Sequence, residues 1–444
     1  MTAPTPAPSA RSARPRVFLH VGAAKSGTTY LQNVLWHNRA RLLEHGVLYP
    51  GGDDVAAHVK AAFDLRKVFF PGAVDPTTGG AWAHLVAQAR AHPGDSIISQ
   101  ELFAPALRPD IARALADLDF ADVHLVFTAR DLARQIPAHW QEDIKNRFTT
   151  SFAEFTEVLR RPDWREHEVA RLFWPLQDPV EVLERWAEHL PRERVHLITL
   201  PRPGAPRDLL WKRFCQAVGL DPGSCDLSGS FANPSLGLAE TQLLLRVNQA
   251  LDHSAAPWPV YNEHVKHYLA QQVLTARRSA HKIRLPAADH AWAAERGAQM
   301  VADLRAADYP VIGDLDELLP DPPPADADAR APHPDDPCWD DIADAAGDAV
   351  TALLRRLLET EQRVRDTPGA ERPAGEQLRD LGADAERLRA VTGTLVHDSK
   401  PMIKRAVRTM SERSPAVSRM REAYWRLHAV RTDPPTDPDP TSTR

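Results

Sequence analysis

Residues 17–29 read VFLHVGAAKSGTT. The first five form a short apolar run that favours extended backbone and ends at Gly22, and from Thr28 onward the apolar residues take helical spacing. Strand, glycine-bearing loop and helix follow one another within a few residues. Three more β-rich runs follow at 96–99 (SIIS), 123–128 (VHLVFT) and 195–200 (VHLITL), separated by helical stretches at 111–118, 133–145 and 179–189. That alternation predicts an α/β fold, a parallel sheet flanked by helices.

Helical patterns continue at 238–251 and 261–278, and 310–319 (PVIGDLDELL) is expected to close a domain spanning 16–320. Composition then changes: the Pro- and Asp-rich stretch over 321–337 reads as a linker. A helical extension is expected over 338–431, with helical patterns at 342–365 and 376–396 and a basic end. Residues 1–15 read as a disordered leader and 432–444 as a disordered tail. Deleting 325–444 is therefore expected to leave a folded core. No repeat of fixed period is present.

With 43% hydrophobic residues, the 444-residue chain can bury a full core, and its net charge of −6 gives no footprint for nucleic acid. The three cysteines, Cys215, Cys225 and Cys338, lack metal-ligand spacing, so neither a disulfide framework nor a metal site is expected. No apolar run approaches the ~20 residues of a membrane span. These points favour the cytoplasm. The segment 400–431 carries nine Lys/Arg against Glu412 and Glu422 and an interrupted apolar stripe. Peripheral contact with an anionic membrane and packing within the chain or on a partner both stay open for it, and Pro401 and Pro415 favour packing.

The loop after the first strand is built to hold an anion. Gly22 and Gly27 allow close backbone approach, Lys25 supplies a mobile charge, Ser26, Thr28 and Thr29 supply hydroxyls, and a helix begins beside them. The sheet is thereby expected to be of P-loop type. A Walker A loop places lysine directly after its second glycine, where this chain has Thr28, and Lys25 stands two residues before Gly27.

Ala24-Lys25-Ser26-Gly27-Thr28-Thr29 followed by Tyr30-Leu31-Gln32 resembles the 5′-phosphosulfate loop of the bacterial sulfotransferases that use phosphoadenosine phosphosulfate (PAPS). The resemblance runs from about residue 16 to 320. It implies transfer of a sulfuryl group from PAPS, without a metal, to a hydroxyl or amine of a small-molecule or glycan acceptor. It also implies that Lys25 acts on the bridging region of the donor and that Ser26, Gly27, Thr28 and Thr29 meet its 5′-phosphate. In that family an arginine at a strand end, with a serine eight residues later, holds the 3′-phosphate. Arg130 matches, but position 138 is alanine.

Glu101 directly follows the second run and stands where members of the family present a histidine or glutamate base. A helix-capping or surface role for it stays open, and His58 is a weaker candidate base. The family's arginine- and glycine-bearing closing loop is absent; Arg277, Arg278 and Lys282 are substitutes by charge, or a solvated face. The segment 233–237 (NPSLG) is either a turn with an N-cap or a donor or acceptor contact, and aromatic residues in 148–155 and 164–174 are either core or acceptor lining. A non-catalytic nucleotide-binding scaffold and, less favoured, a P-loop kinase remain as alternatives.

Overall fold

A computed structural model describes residues 14–68, 78–228, 235–252, 254, 256–278, 281–322 and 332–366. The expected leader, apart from its last two residues, lies outside the described residues, as do Asn233 and Pro234, the second helical pattern at 376–396, the basic segment 400–431 and the tail.

Six strands form one parallel sheet: β1 (Arg16–His20), β2 (Val47–Leu48), β3 (Asp95–Ser99), β4 (Asp122–Ala129), β5 (Val195–Thr199) and β6 (Val311–Ile312), in the order β2-β3-β1-β4-β5-β6. Side chains alternate between the faces, and both faces are covered, so apolar residues pointing either way fill the middle of each longer strand. Val17, Leu19, Leu125, Phe127 and Leu197 pack under α3 (Ala57–Arg66), α4 (Ala81–Ala91), α5 (Arg108–Asp117) and α9 (Pro179–Ala187). Phe18, Val126 and Ile198 pack on the other face with α1 (Thr28–His37), the short α2 (Arg39–Glu44) and α10 (Leu209–Val218).

A third core is wholly helical. It joins α6 (Leu132–Lys145), α7 (Phe152–Arg160), α8 (Glu168–Gln177), α11 (Leu238–Ala250), a π-helical segment (Asn262–Leu274) that follows the one-turn α12 (Trp258–Tyr261), α13 (Ala287–Ala307) and α14 (Trp339–Asp366). Phe152, Phe155 and Phe173 are fully buried in it.

The described part of the expected linker and extension does not stand apart from the domain. Asp335 accepts the backbone N–H groups of Phe152 at 2.8 Å and Ala153 at 2.7 Å, completing the N-terminus of α7, and Gln242 donates to the Pro334 carbonyl at 2.6 Å. Ile342, Ala345 and Ala349 of α14 are buried in the helical core. Deleting 325–444 would strip all of these contacts, so a core folded as before is no longer the expectation. Ile342→Ala is expected to destabilise the protein by about 2–5 kcal/mol, read as a lower chemical-denaturation midpoint. An unchanged midpoint would show that α14 is not part of the cooperative unit.

Candidate functional site

Strand β1 lies between β3 and β4, where the strand order reverses, and in open parallel sheets ligands bind at the carboxyl ends of the strands at such a point. The loop after β1, Glu101 after β3 and Arg130 after β4 all come to this edge. Topology thus gathers residues that are far apart in the chain.

The loop is fastened to β4. Val21 N–H donates to Val126 O at 3.0 Å, Ala23 N–H to Thr128 O at 2.7 Å and Thr128 N–H to Gly22 O at 2.6 Å. The Ser26 hydroxyl, expected to face a phosphate, turns inward: it is fully buried, 2.5 Å from the Ala23 carbonyl and 2.5 Å from the Thr128 hydroxyl. Beneath it the buried His20 spans Ser99 Oγ at 2.8 Å and Thr128 Oγ1 at 3.5 Å, and burial lowers its pKa to about 4, so it is a neutral strut.

Gly27 has φ +87°, and a Cβ there would stand 2.3 Å from Leu210 Cδ2, so the turn into α1 requires glycine. Thr28 is buried, Thr29 is exposed, and the first N–H groups of α1 have no partners within the helix. Lys25 has φ +61°, a left-handed conformation that costs a side-chain-bearing residue about 1–2 kcal/mol. Arg130 holds it there, donating from Nη1 to the Lys25 carbonyl at 3.0 Å, and Gln135 donates from Nε2 to the Ala24 carbonyl.

Arg130 keeps spare capacity. Its Nε is buried with no hydrogen-bond partner among the described residues, and burial, then the nearby Arg134, lower its pKa to about 10. Asp131 caps α6 by accepting Arg134 N–H at 3.0 Å, so the cap role belongs to Asp131 and leaves Arg130 to the edge of the sheet.

The Lys25 ammonium does not reach Glu101. It pairs with Glu142 Oε2 at 2.5 Å, and the same carboxylate meets Lys145 at 2.6 Å and Lys266 at 3.4 Å. Burial alone would raise the Glu142 carboxyl, but the three ammonium groups outweigh it and hold it well below the usual carboxylate range. Lys145, half-buried and close to Lys25, is lowered to about 8 by desolvation and then by Lys25. Behind them His139 accepts from Gln177 Nε2 at 2.8 Å and is kept neutral, its pKa pushed to about 3 by burial and by Lys25.

These residues of α6 and the π-helical segment are the part of the site that sequence reading missed. Its one trace was the spacing of His139, Glu142 and Lys145 along a single helical face.

Glu101 opens a single 3₁₀ turn and accepts from Gln32 Nε2 at 2.9 Å. Gln100, not Glu101, caps that turn, accepting Leu102 N–H at 3.3 Å. His58 has both ring nitrogens engaged, Nε2 with Pro50 O at 2.7 Å and Nδ1 with Ser99 N–H at 3.0 Å. It is a buried packing residue stacked on Tyr49, which removes it as a base. Arg277 pairs with the buried Glu240 at 3.1 Å and with Asp348, tying α11 to α14, so it is not a closing residue; Arg278 and Lys282 are exposed.

Of the aromatic residues expected as core or acceptor lining, Phe152, Phe155 and Phe173 are core. Trp174 is buried in the same core, and with Trp164 and Trp292 it borders a cavity of about 380 Å³ whose lining includes no residue of the loop. Among the described residues no cluster of three or more metal-ligating side chains occurs, and no helix is long and apolar enough to cross a membrane.

No family model and no curated protein matches the chain. A solved sulfotransferase from Alicyclobacillus acidocaldarius aligns with 58% of this chain and 97% of its own at 20% identity, with a TM-score of 0.34. A likeness of that extent carries no argument about the reaction, which has to be read from the residues themselves.

Proposed function

We propose that the chain is a PAPS-dependent sulfotransferase that moves a sulfuryl group to a hydroxyl or amine of a small-molecule or glycan acceptor. The observation that carries this reading is one arrangement at one sheet edge. Lys25 and the N-terminus of α1 stand beside an arginine with an unpaired buried Nε, in a loop that has threonine where a Walker lysine would be.

In this reading the amides at Gly27, Thr28 and Thr29 and the exposed Thr29 side chain receive the 5′-phosphate, while Ser26 shapes the loop. Arg130 binds the 3′-phosphate without help from position 138. The acceptor oxygen or nitrogen gives its proton to Glu101 and bonds to sulfur as the bond from sulfur to the bridging phosphate oxygen breaks. Lys25 leaves Glu142 and stabilises the charge developing on that oxygen. A P-loop kinase is disfavoured by Thr28.

The test is PAPS turnover over a panel of hydroxyl- and amine-bearing acceptors, followed as release of adenosine 3′,5′-bisphosphate (PAP). Turnover is expected, with Arg130→Ala weakening PAP binding about 10–100-fold through loss of charge-assisted hydrogen bonds. PAP binding without turnover on any acceptor would support a non-catalytic binder instead. Unaltered PAP affinity in Arg130→Ala would remove Arg130 from the donor site.

A further inference from the structure

Three ammonium groups from three separate elements converge on Glu142: Lys25 from the loop, Lys145 from the last turn of α6 and Lys266 from the π-helical segment. One carboxylate balances one of them. Asp143, its neighbour in sequence, makes no ion pair with any of the three lysines: it is buried beside His139 Nε2 at 3.4 Å, and burial, then the charge of Glu142, raise its carboxyl well above the usual range. Asn146 Oδ1 accepts from Lys266 at 2.5 Å and adds a dipole but no charge. Three ammonium groups therefore share one ion-paired carboxylate, with lysine side chains only 13–30% exposed. Partly desolvated like charges repel, and an anion set among them recovers that cost.

Position separates this cluster from the rest of the donor contacts. The backbones of Arg130, just before α6, and Lys145, at its far end, are about 20 Å apart by helical rise. In the sulfuryl-transfer reading a donor held by the loop and Arg130 lies beside the first half of α6. Lys25 reaches from the loop to the same Glu142 carboxylate that Lys145 and Lys266 meet, so in the sulfuryl-transfer reading these two further ammonium groups stand beside the transfer point, where an acceptor has to come for in-line attack.

We propose that Lys145 and Lys266, next to Lys25, bind an oxyanion carried by the acceptor, a sulfate, phosphate or carboxylate group, with Glu142 as the resident counterion that it displaces. This rests on the sulfuryl-transfer reading and narrows it to anionic acceptors.

The experiment titrates inorganic sulfate, as the probe, into the full chain saturated with PAP and into the free chain, by calorimetry. Saturable binding is expected in the wild type, weakened about tenfold in Lys145→Gln and in Lys266→Gln, with PAP affinity changed less than about threefold. Glu142→Gln should move sulfate affinity the opposite way, and Lys266→Arg should retain it, which separates loss of charge from loss of fold.

Sulfate binding that is absent in the wild type, or indifferent to both lysine substitutions, overturns the proposal. So does an equal loss of PAP and sulfate affinity, which would assign the lysines to the donor. If wild type does not bind PAP, the sulfuryl-transfer reading falls, and the free-chain titration alone decides whether the lysines hold an oxyanion.

Discussion

Lys25→Ala is expected to lower kcat by about 10²–10³-fold while changing PAP affinity far less. The ammonium is partnered before any donor arrives, by Glu142 at 2.5 Å, so its net gain on ground-state binding is small. Its advantage comes when charge builds on the leaving phosphate, in a part-buried crevice where a single positive group is worth more than in water. The substitution leaves Glu142 still paired with Lys145 and Lys266, so the helical framework keeps its counterions. Steady-state kinetics with PAP calorimetry on the one variant checks this. Unchanged kcat with weakened PAP binding would make Lys25 a ground-state ligand only.

Glu101→Gln is expected to lower kcat by about 10²–10⁴-fold with PAP affinity preserved. Glutamine keeps an oxygen for the bond from Gln32 and keeps the shape of the turn, whose cap is the side chain of Gln100. What it removes is the capacity to take a proton. A carboxylate serving only the fold would behave otherwise: stability would shift by about 1 kcal/mol and turnover would stay near wild type. Melting temperature, PAP affinity and turnover measured together separate the two outcomes. Turnover within about threefold of wild type would exclude Glu101 as the base, and with both His58 nitrogens committed to backbone groups, His58 could not take its place.

The sheet was readable wherever its strands were long enough to carry a pattern. β1, β3, β4 and β5 each have at least five residues, whereas β2 and β6 have two apiece and are set only by the neighbours they pair with. The loop was legible because strand, glycines and helix onset are local signals, and Arg130 because it ends an apolar run.

Glu142, Lys145 and Lys266 were not legible, since charges three residues apart on a helix look the same whether they face solvent or a crevice. Only the crossing of the π-helical segment and the reach of Lys25 decide which. The inward turn of Ser26 has the same origin, because Thr128, its partner, is 102 residues away. Composition also hid Asp335: a Pro- and Asp-rich stretch reads as a linker, yet one of its carboxylates caps a helix more than 180 residues earlier.

Donor class is tested most directly by calorimetry and thermal unfolding of the full chain with PAP, ADP and ATP, each with and without Mg²⁺. PAP at about 100 times its Kd should stabilise the fold by roughly 2.7 kcal/mol with no requirement for Mg²⁺, and ADP and ATP should bind far more weakly. Greater stabilisation by Mg²⁺-ATP than by PAP would contradict the assignment of this loop and Arg130 to a sulfuryl donor.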